Sequence, residues 1–210
     1  MPDAIAARRK VQYHRAMPTT ARHVVEWPDL KLRVFEPTAA ELAASAPGLA
    51  AYYNDAHNRT MMAHSSEMSA QEVAEHFETL WCELGRPFIL EREGVLMGDA
   101  DLRRIEGRTA EFAIMVGARA EQGKGLGQRF AIMIHALAFE RLGFDQSFVS
   151  IIPANAASRR LFEKLGYLGD NSAEARAYAD EDDDITMSVH RARFVEVNGA
   201  AMAQQRFLSR

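Results

Sequence analysis

Cysteine is almost absent from this chain: Cys82 is the single one in 210 residues. No intrachain disulfide can form, which excludes a secreted scaffold held by disulfides. A basic excess is also missing. Lys and Arg number 25 against 29 Asp and Glu, for a formal net charge of −4. Nucleic-acid binding normally needs a strongly basic face, so no nucleic-acid partner is expected. Long apolar runs are missing too. The longest, Phe130 to Phe139, is broken by His135. A bilayer span takes ~18 or more such residues, so no membrane partner is expected. No apolar stretch near the first residue resembles a secretory signal, and the cytoplasm is the expected compartment. The seven histidines lack ligand spacing, since His57 and His64 have no third ligand nearby. No metal site is expected.

What is present is an ordinary globular balance, with 48% hydrophobic and 26% charged residues. That length and balance support one domain with a full core. Residues 1–29 carry Arg8, Arg9, Lys10, Arg15 and Arg22 and read as a basic arm. Residues 30–193 carry the periodic pattern, and 194–210 read as a C-terminal extension.

Within the domain, residues 30–36 alternate apolar and polar and predict a strand. Thr38 with Glu41 is a capping-box pair opening a short helix, which Pro47-Gly48 is expected to break. Ser69 with Glu72 opens a second helix carrying Val73, Phe77, Leu80, Trp81 and Leu84 on one stripe. Gly85 is expected to be its left-handed cap. Cys82, beside Trp81, reads as packing. Phe88 to Leu90 and Val95 to Met97 flank Glu93-Gly94 as a hairpin. Thr109 to Val116 predicts a strand, a glycine-rich turn follows, and a helix runs from Leu126 toward Gly143. Phe148 to Ile152 reads as a buried strand, which makes a right-handed parallel crossover. A further helix spans about Asn155 to Leu165. Tyr167-Leu168 and Ile185 to His190 are the last strands, separated by an acidic loop.

Three glycines in five residues, Gly123, Gly125 and Gly127, lie between a strand and a helix N-terminus. This arrangement suits a phosphate cradle, since bare backbone amides approach an anion closely and the helix end favours negative charge. Taken alone, a glycine cluster is more often a tight turn needing positive φ. The nucleotide P-loop spacing fails: Gly117 is one residue too far from Gly123-Lys124, and Gly125 lacks the hydroxyl needed next. The dinucleotide fingerprint fails at Gln128 or Phe130.

The run Gln122-Gly123-Lys124-Gly125-Leu126-Gly127 fits Gln-x-x-Gly-x-Gly, preceded by the strand Glu111 to Val116. It resembles the acetyl-CoA motif of the GCN5-related N-acetyltransferases. A second signature of that family, Asn155-Ala156-Ala157-Ser158-Arg159-Arg160-Leu161-Phe162-Glu163-Lys164-Leu165-Gly166-Tyr167, follows after a helix and a strand. The spermidine and ribosomal-protein branches look most alike. The resemblance implies an α/β fold with a mixed six- to seven-stranded sheet, helices on both faces and a splayed parallel strand pair. It implies acetyl-CoA as co-substrate and an amine acceptor as partner. Met115 and Val116 would offer backbone groups to pantetheine, and Gln122, Gly123, Lys124, Gly125, Leu126 and Gly127 would hold the pyrophosphate. Asn155 and Ser158 would approach the thioester end, with Asn155 also a plain N-cap. Arg159, Arg160 and Lys164 would meet the 3′-phosphate or stay solvated. A homodimer is a family-level expectation.

The acceptor must lose a proton before attack, because an alkylamine has a pKa near ~10.4. Glu111 is the first candidate base, sharing a strand face with Ala113 and Met115; an edge-paired glutamate is the alternative. Asp99 and Asp101 are weaker candidates. Where many family members carry a tyrosine acid, Phe162 stands here. Ser158, a water or Tyr167 would then protonate the thiolate. The residue motivates a second reading, a non-catalytic acyl-CoA-binding module; a third keeps the enzyme but changes the donor or acceptor, for example to a longer acyl group or a hydroxyl, with pocket width near Phe162 and Met115 deciding the donor. The segment Tyr52 to His64 is either a pocket wall or core packing. The run Asp180 to Asp184 either steers a cationic amine or is solvated.

Overall fold

The computed structural model describes residues 22–62 and 66–209. Strands β1 (His23–Trp27), β2 (Leu32–Phe35), β3 (Arg86–Arg92), β4 (Val95–Glu106), β5 (Thr109–Val116), β6 (Gln146–Ile151), β7 (Leu168–Gly169), β8 (Ile185–His190) and β9 (Arg206–Ser209) form one sheet. Its order is β7-β8-β6-β5-β4-β3-β2-β1-β9. The helices are α1 (Ala39–Asn54), α2 (Ala56–Met61), α3 (Ala70–Cys82), α4 (Leu126–Glu140), α5 (Ala156–Lys164), α6 (Ala173–Arg176) and α7 (Arg191–Met202). The mixed α/β architecture is the expected one, but the sheet has nine strands rather than six or seven.

Alternation along the central strands sends side chains to two separate cores. On one face, Phe88, Leu90, Leu102, Phe112, Val149 and Ile151 pack under α4. This helix is apolar nearly all round because α7 covers it as well, through Phe194 and Met202. On the other face, Val24, Phe35, Ile89 and Met115 pack under α1 and α3. Both predicted capping boxes form, at Thr38–Glu41 and Ser69–Glu72.

Several expectations need correction. Pro47 and Gly48 do not break α1, which continues to Asn54. The helix buries Leu42, Ala46, Leu49, Ala50 and Tyr53, and this packing outweighs the ~3 kcal/mol usually charged to an interior proline. Gly48 has a different use: a Cβ there would stand 2.7 Å from Leu96 Cδ2. The predicted strand at residue 30 begins two residues later, after a short helical turn (Pro28–Leu30). Segments expected to flank the domain also join its sheet. β1 lies inside residues 1–29, and α7 and β9 use residues 191–209, with β1 pairing both β2 and β9. Arg22 is ion-paired with Glu41 at 2.7 Å. Arg8, Arg9, Lys10 and Arg15 lie outside the described residues.

The end of α3 also differs. Leu84, not Gly85, is left-handed, at φ 62. Gly85 is needed for closeness, because its Cβ would meet the Leu80 carbonyl oxygen at 3.0 Å. Cys82 is exposed rather than packed. Leu84 is 79% exposed, so nothing apolar repays its strained backbone. Leu84→Gly is expected to stabilise the protein by about 1 kcal/mol. Thermal unfolding should then rise by roughly 2–4 °C.

Candidate active site

Parallel pairing of β5 and β6 covers only Thr109–Gln146, Ala110–Ser147 and Glu111–Phe148. Beyond it the two strands diverge, and the expected splay is present. A cleft of about 790 Å³ opens there, within the usual ~300–1,000 Å³ of ligand pockets. It is lined from β5 by Ala113, Ile114, Met115 and Val116, and from the glycine turn by Gln122, Gly123, Gly125, Leu126 and Gly127. From β6 and α5 come Ser150, Asn155, Ser158 and Phe162.

The turn supplies donors. Gly123 and Gly125 adopt φ 75 and 80, and a Cβ at either would meet nothing within 4 Å. Their conformation, not crowding, requires glycine. No side chain caps α4. Among the hydrogen bonds of the described residues, none has an amide of residues 123–128 as donor. Six consecutive N–H groups at a helix N-terminus on the rim of the cleft are a ready anion site. Leu126 anchors the turn in the core, and a Cβ added at Gly127 would make ordinary contact with Val116 and Leu161. Lys124 reaches Glu121 at 3.4 Å.

Gln122 is turned to another use. Its Nε2 donates to Asn58 Oδ1 at 2.8 Å and to the Val116 carbonyl at 2.7 Å. Its Oε1 accepts from Arg119 at 2.5 Å. The side chain therefore fixes the turn instead of facing an anion, and it bonds the carbonyl of Val116, one of the two residues expected to offer backbone groups to pantetheine. Asn155 caps α5 by accepting from the Ser158 amide at 3.0 Å, and its Nδ2 donates to the Met61 carbonyl at 3.1 Å. Ser158 lines the cleft with its hydroxyl making no hydrogen bond among the described residues.

Phe162 is buried edge-on against Phe112 and Tyr167, with centroids at 6.1 and 5.0 Å. Tyr167 cannot take the acid role considered for it. Its hydroxyl donates to Ser147 Oγ at 2.8 Å and lies 2.5 Å from His135 Nε2, inside the core. Burial raises this phenol far above its ordinary pKa and lowers His135 to about 4.

The acidic groups fall on the sheet face that carries α1 and α3. Glu111 does share that face with Ala113 and Met115, but it does not line the cleft. It is 1% exposed, with Oε1 2.8 Å from Arg103 and Oε2 3.1 Å from Arg104. Neither oxygen is open to an incoming amine. Asp99 and Asp101, opposite Met115 and Ala113 on β4, line the cleft instead. Asp99 accepts from the Tyr53 hydroxyl at 2.6 Å. Asp101 has Oδ1 buried without a hydrogen bond, 3.7 Å from Arg103 Nε, and no hydrogen bond among the described residues engages its Oδ2. Burial raises both carboxyls to about 7. For Asp99 the Tyr53 hydrogen bond opposes the rise; for Asp101 the Arg103 charge opposes it, and the charges of Asp99 and Glu111 add to it.

Two segments read two ways in the sequence form part of the wall. Tyr53, His57, Met61 and Met62 line the cleft, while His64 lies outside the described residues. The acidic loop lines it through Asp180, Glu181 and Asp184 and is tied down rather than loosely solvated. Asp180 pairs with Arg104, and Asp184 accepts from Ser150 Oγ at 2.6 Å. Asn58, a buried member of the Tyr52–His64 segment, carried no periodicity or motif that marked it. Among the described residues, no group of three or more His, Cys, Asp or Glu is placed to hold a metal ion. No helix among them is long and apolar enough to cross a membrane.

Among curated proteins, no sequence matches this one. Several solved structures are similar in fold. The aminoglycoside acetyltransferase AAC(6')-Ib in complex with coenzyme A superposes with TM-score 0.65 at 18% identity, over 80% of this chain and 99% of that one. RimJ of Mycobacterium smegmatis in complex with CoA-disulfide gives 0.64 at 13%, over 89% and 94%. Spermidine N-acetyltransferase of Vibrio cholerae in complex with CoA and spermine gives 0.62 at 18%, over 79% and 98%. At such identities the likeness speaks for the fold alone. The profile of the acetyltransferase (GNAT) domain matches residues 30–168, and with the splayed strands and glycine turn in place, the chain belongs to the GNAT acetyltransferase family.

Proposed function

We propose that the protein transfers the acetyl group of acetyl-CoA to a primary amine that arrives as a cation, by direct attack without an acyl-enzyme. The observation that carries this reading is the pairing of opposite ends in one cleft. Six unbonded amides stand at the rim, and buried carboxyls line the wall. The amides of residues 123–128 suit the diphosphate of the cofactor, and the unpaired stretch of β5 suits its amide-bearing arm. Acetyl-CoA supplies an activated thioester; the residues of the chain supply binding and proton transfer.

Asp101 is the base in this scheme, in place of Glu111. At neutral pH its carboxyl is divided between its two forms, and a base near the working pH is the most effective kind. Asp101 Oδ2 takes a proton from the ammonium, and the freed lone pair attacks the thioester carbonyl. The carbon–sulfur bond then breaks, and the extra proton left on the attacking nitrogen passes, directly or through water, to the departing sulfur, giving the neutral amide and the CoA thiol. Ser158 donates a hydrogen bond to the departing thiolate. No stronger acid is needed, since a thiol of pKa near ~8.5 leaves readily. Phe162 contributes an apolar wall. Asp180 and Glu181 give the acceptor side a negative field that attracts amines.

Three outcomes are expected. kcat/KM should rise with pH through about 7 as Asp101 loses its proton. Asp101→Asn should remove that limb and lower kcat by roughly 10²–10⁴-fold, measured as thiol release over an amine panel. Stability should respond in the opposite sense. The folded protein holds protons on these carboxyls that the unfolded chain releases, so their contribution weakens as pH rises to about 7. Asp101→Asn should therefore raise the melting temperature relative to wild type more at pH 8 than at pH 5. At the other end, Gly125→Asp should weaken CoA binding at least tenfold by calorimetry. Gly125→Asn, which tolerates the left-handed backbone and adds no charge, should retain most of it. Equal affinity in the aspartate variant would count against the amide cradle.

A further inference from the structure

Helix α2 bridges the two sides of the splay. Asn58, 3% exposed, has both amide hydrogens and its oxygen hydrogen-bonded there. Its Nδ2 donates to the carbonyls of Tyr52 at 3.0 Å and Gly117 at 3.1 Å, and its Oδ1 accepts from Gln122 Nε2 at 2.8 Å. That ties α2 to the end of β5 and to the first residue of the glycine turn. Three residues on, the Met61 carbonyl accepts from Asn155 Nδ2 at 3.1 Å. Asn155 is the N-cap of α5, the helix that follows β6. One six-residue helix is thus bonded to both walls of a cleft whose own strands no longer bond to each other.

We infer that α2 is a strap that sets the width of the splay, and that Asn58 and Asn155 are positioning residues for the cofactor. Asn58 acts through Gln122, holding the turn so that the amides of residues 123–128 converge. Asn155 acts through α5, holding Ser158 against the opposite wall. A buried asparagine bonded through both amide hydrogens and its oxygen is rigid, and removing it leaves its partners unpaired. The same bonds join the acceptor-side helix to the diphosphate turn, so the two substrates are held in one frame. This inference rests on the acetyl-CoA reading above.

The test uses the full chain with CoA and acetyl-CoA as probes. Asn58→Ala should raise the CoA Kd and the acetyl-CoA KM about tenfold, with kcat at saturation changed less than threefold. In the ligand-free protein, tryptic cleavage after Lys124 should accelerate at least threefold. Asn58→Ala combined with Gln122→Ala should weaken CoA no more than the worse single variant, because both remove the same link. Additive losses, or a CoA Kd and cleavage rate within twofold of wild type, would overturn the strap. If Asn58→Ala does not fold, Asn155→Ser decides. It keeps a capping oxygen for α5 but is too short to reach Met61. The strap requires a CoA Kd at least fivefold weaker with the melting temperature nearly unchanged, and a wild-type Kd would overturn it. If the wild-type protein takes up no CoA, the cofactor reading falls, and the cleavage rates still decide whether α2 holds the turn.

Discussion

Pairing between β5 and β6 begins at Thr109–Gln146 and stops after Glu111–Phe148. The cleft proposed as the active site follows from that interruption. A strand inside a sheet normally spends its amides and carbonyls on its neighbours, and buried backbone groups left without partners are costly. Here the facing edges of residues 112–116 and 149–151 open onto a cleft, and the donors of the glycine turn lie at its rim. The surrounding structure keeps the gap from closing. Antiparallel pairing to β4 and β8 holds each strand from its outer side, and α4 packs beneath both with Phe112, Val149 and Ile151.

The fold was legible in the sequence where local chemistry decides it. Capping pairs, the hairpin at Glu93-Gly94, the glycine turn and the strand–helix–strand crossover all stand where residue pattern puts them. The misreadings occur where distant contacts override local preference. Pro47 sits inside a helix because the helix packs along much of its length. Leu84 takes the left-handed conformation because Gly85 is occupied in a close approach to Leu80. β1 and β9 are short strands with little alternation, and each is stabilised by a partner at the other end of the chain.

The site was legible in part. The turn proposed to hold the diphosphate could be read because glycine spacing and a helix start are local features. The proposed base could not. Glu111, Asp99 and Asp101 occupy the same sheet face, and the sequence cannot say which carboxyl two arginines will enclose. Arg103 sits across from Glu111 on β4, so cross-strand register made that choice. Asn58 was invisible for the same reason: its partners come from α1, the end of β5 and the glycine turn, three segments that only the fold assembles.

The pairing of β1 with β9 has a consequence for how the chain matures. His23 faces Ser209 across that ladder, so β1 must wait until residue 209 has been made before its outer edge is covered. Such a contact has a very large loop-closure span, the kind that slows folding. During synthesis the nascent domain carries an exposed β1 edge until β9 leaves the ribosome, and that interval is when unwanted strand pairing with a neighbouring chain is easiest.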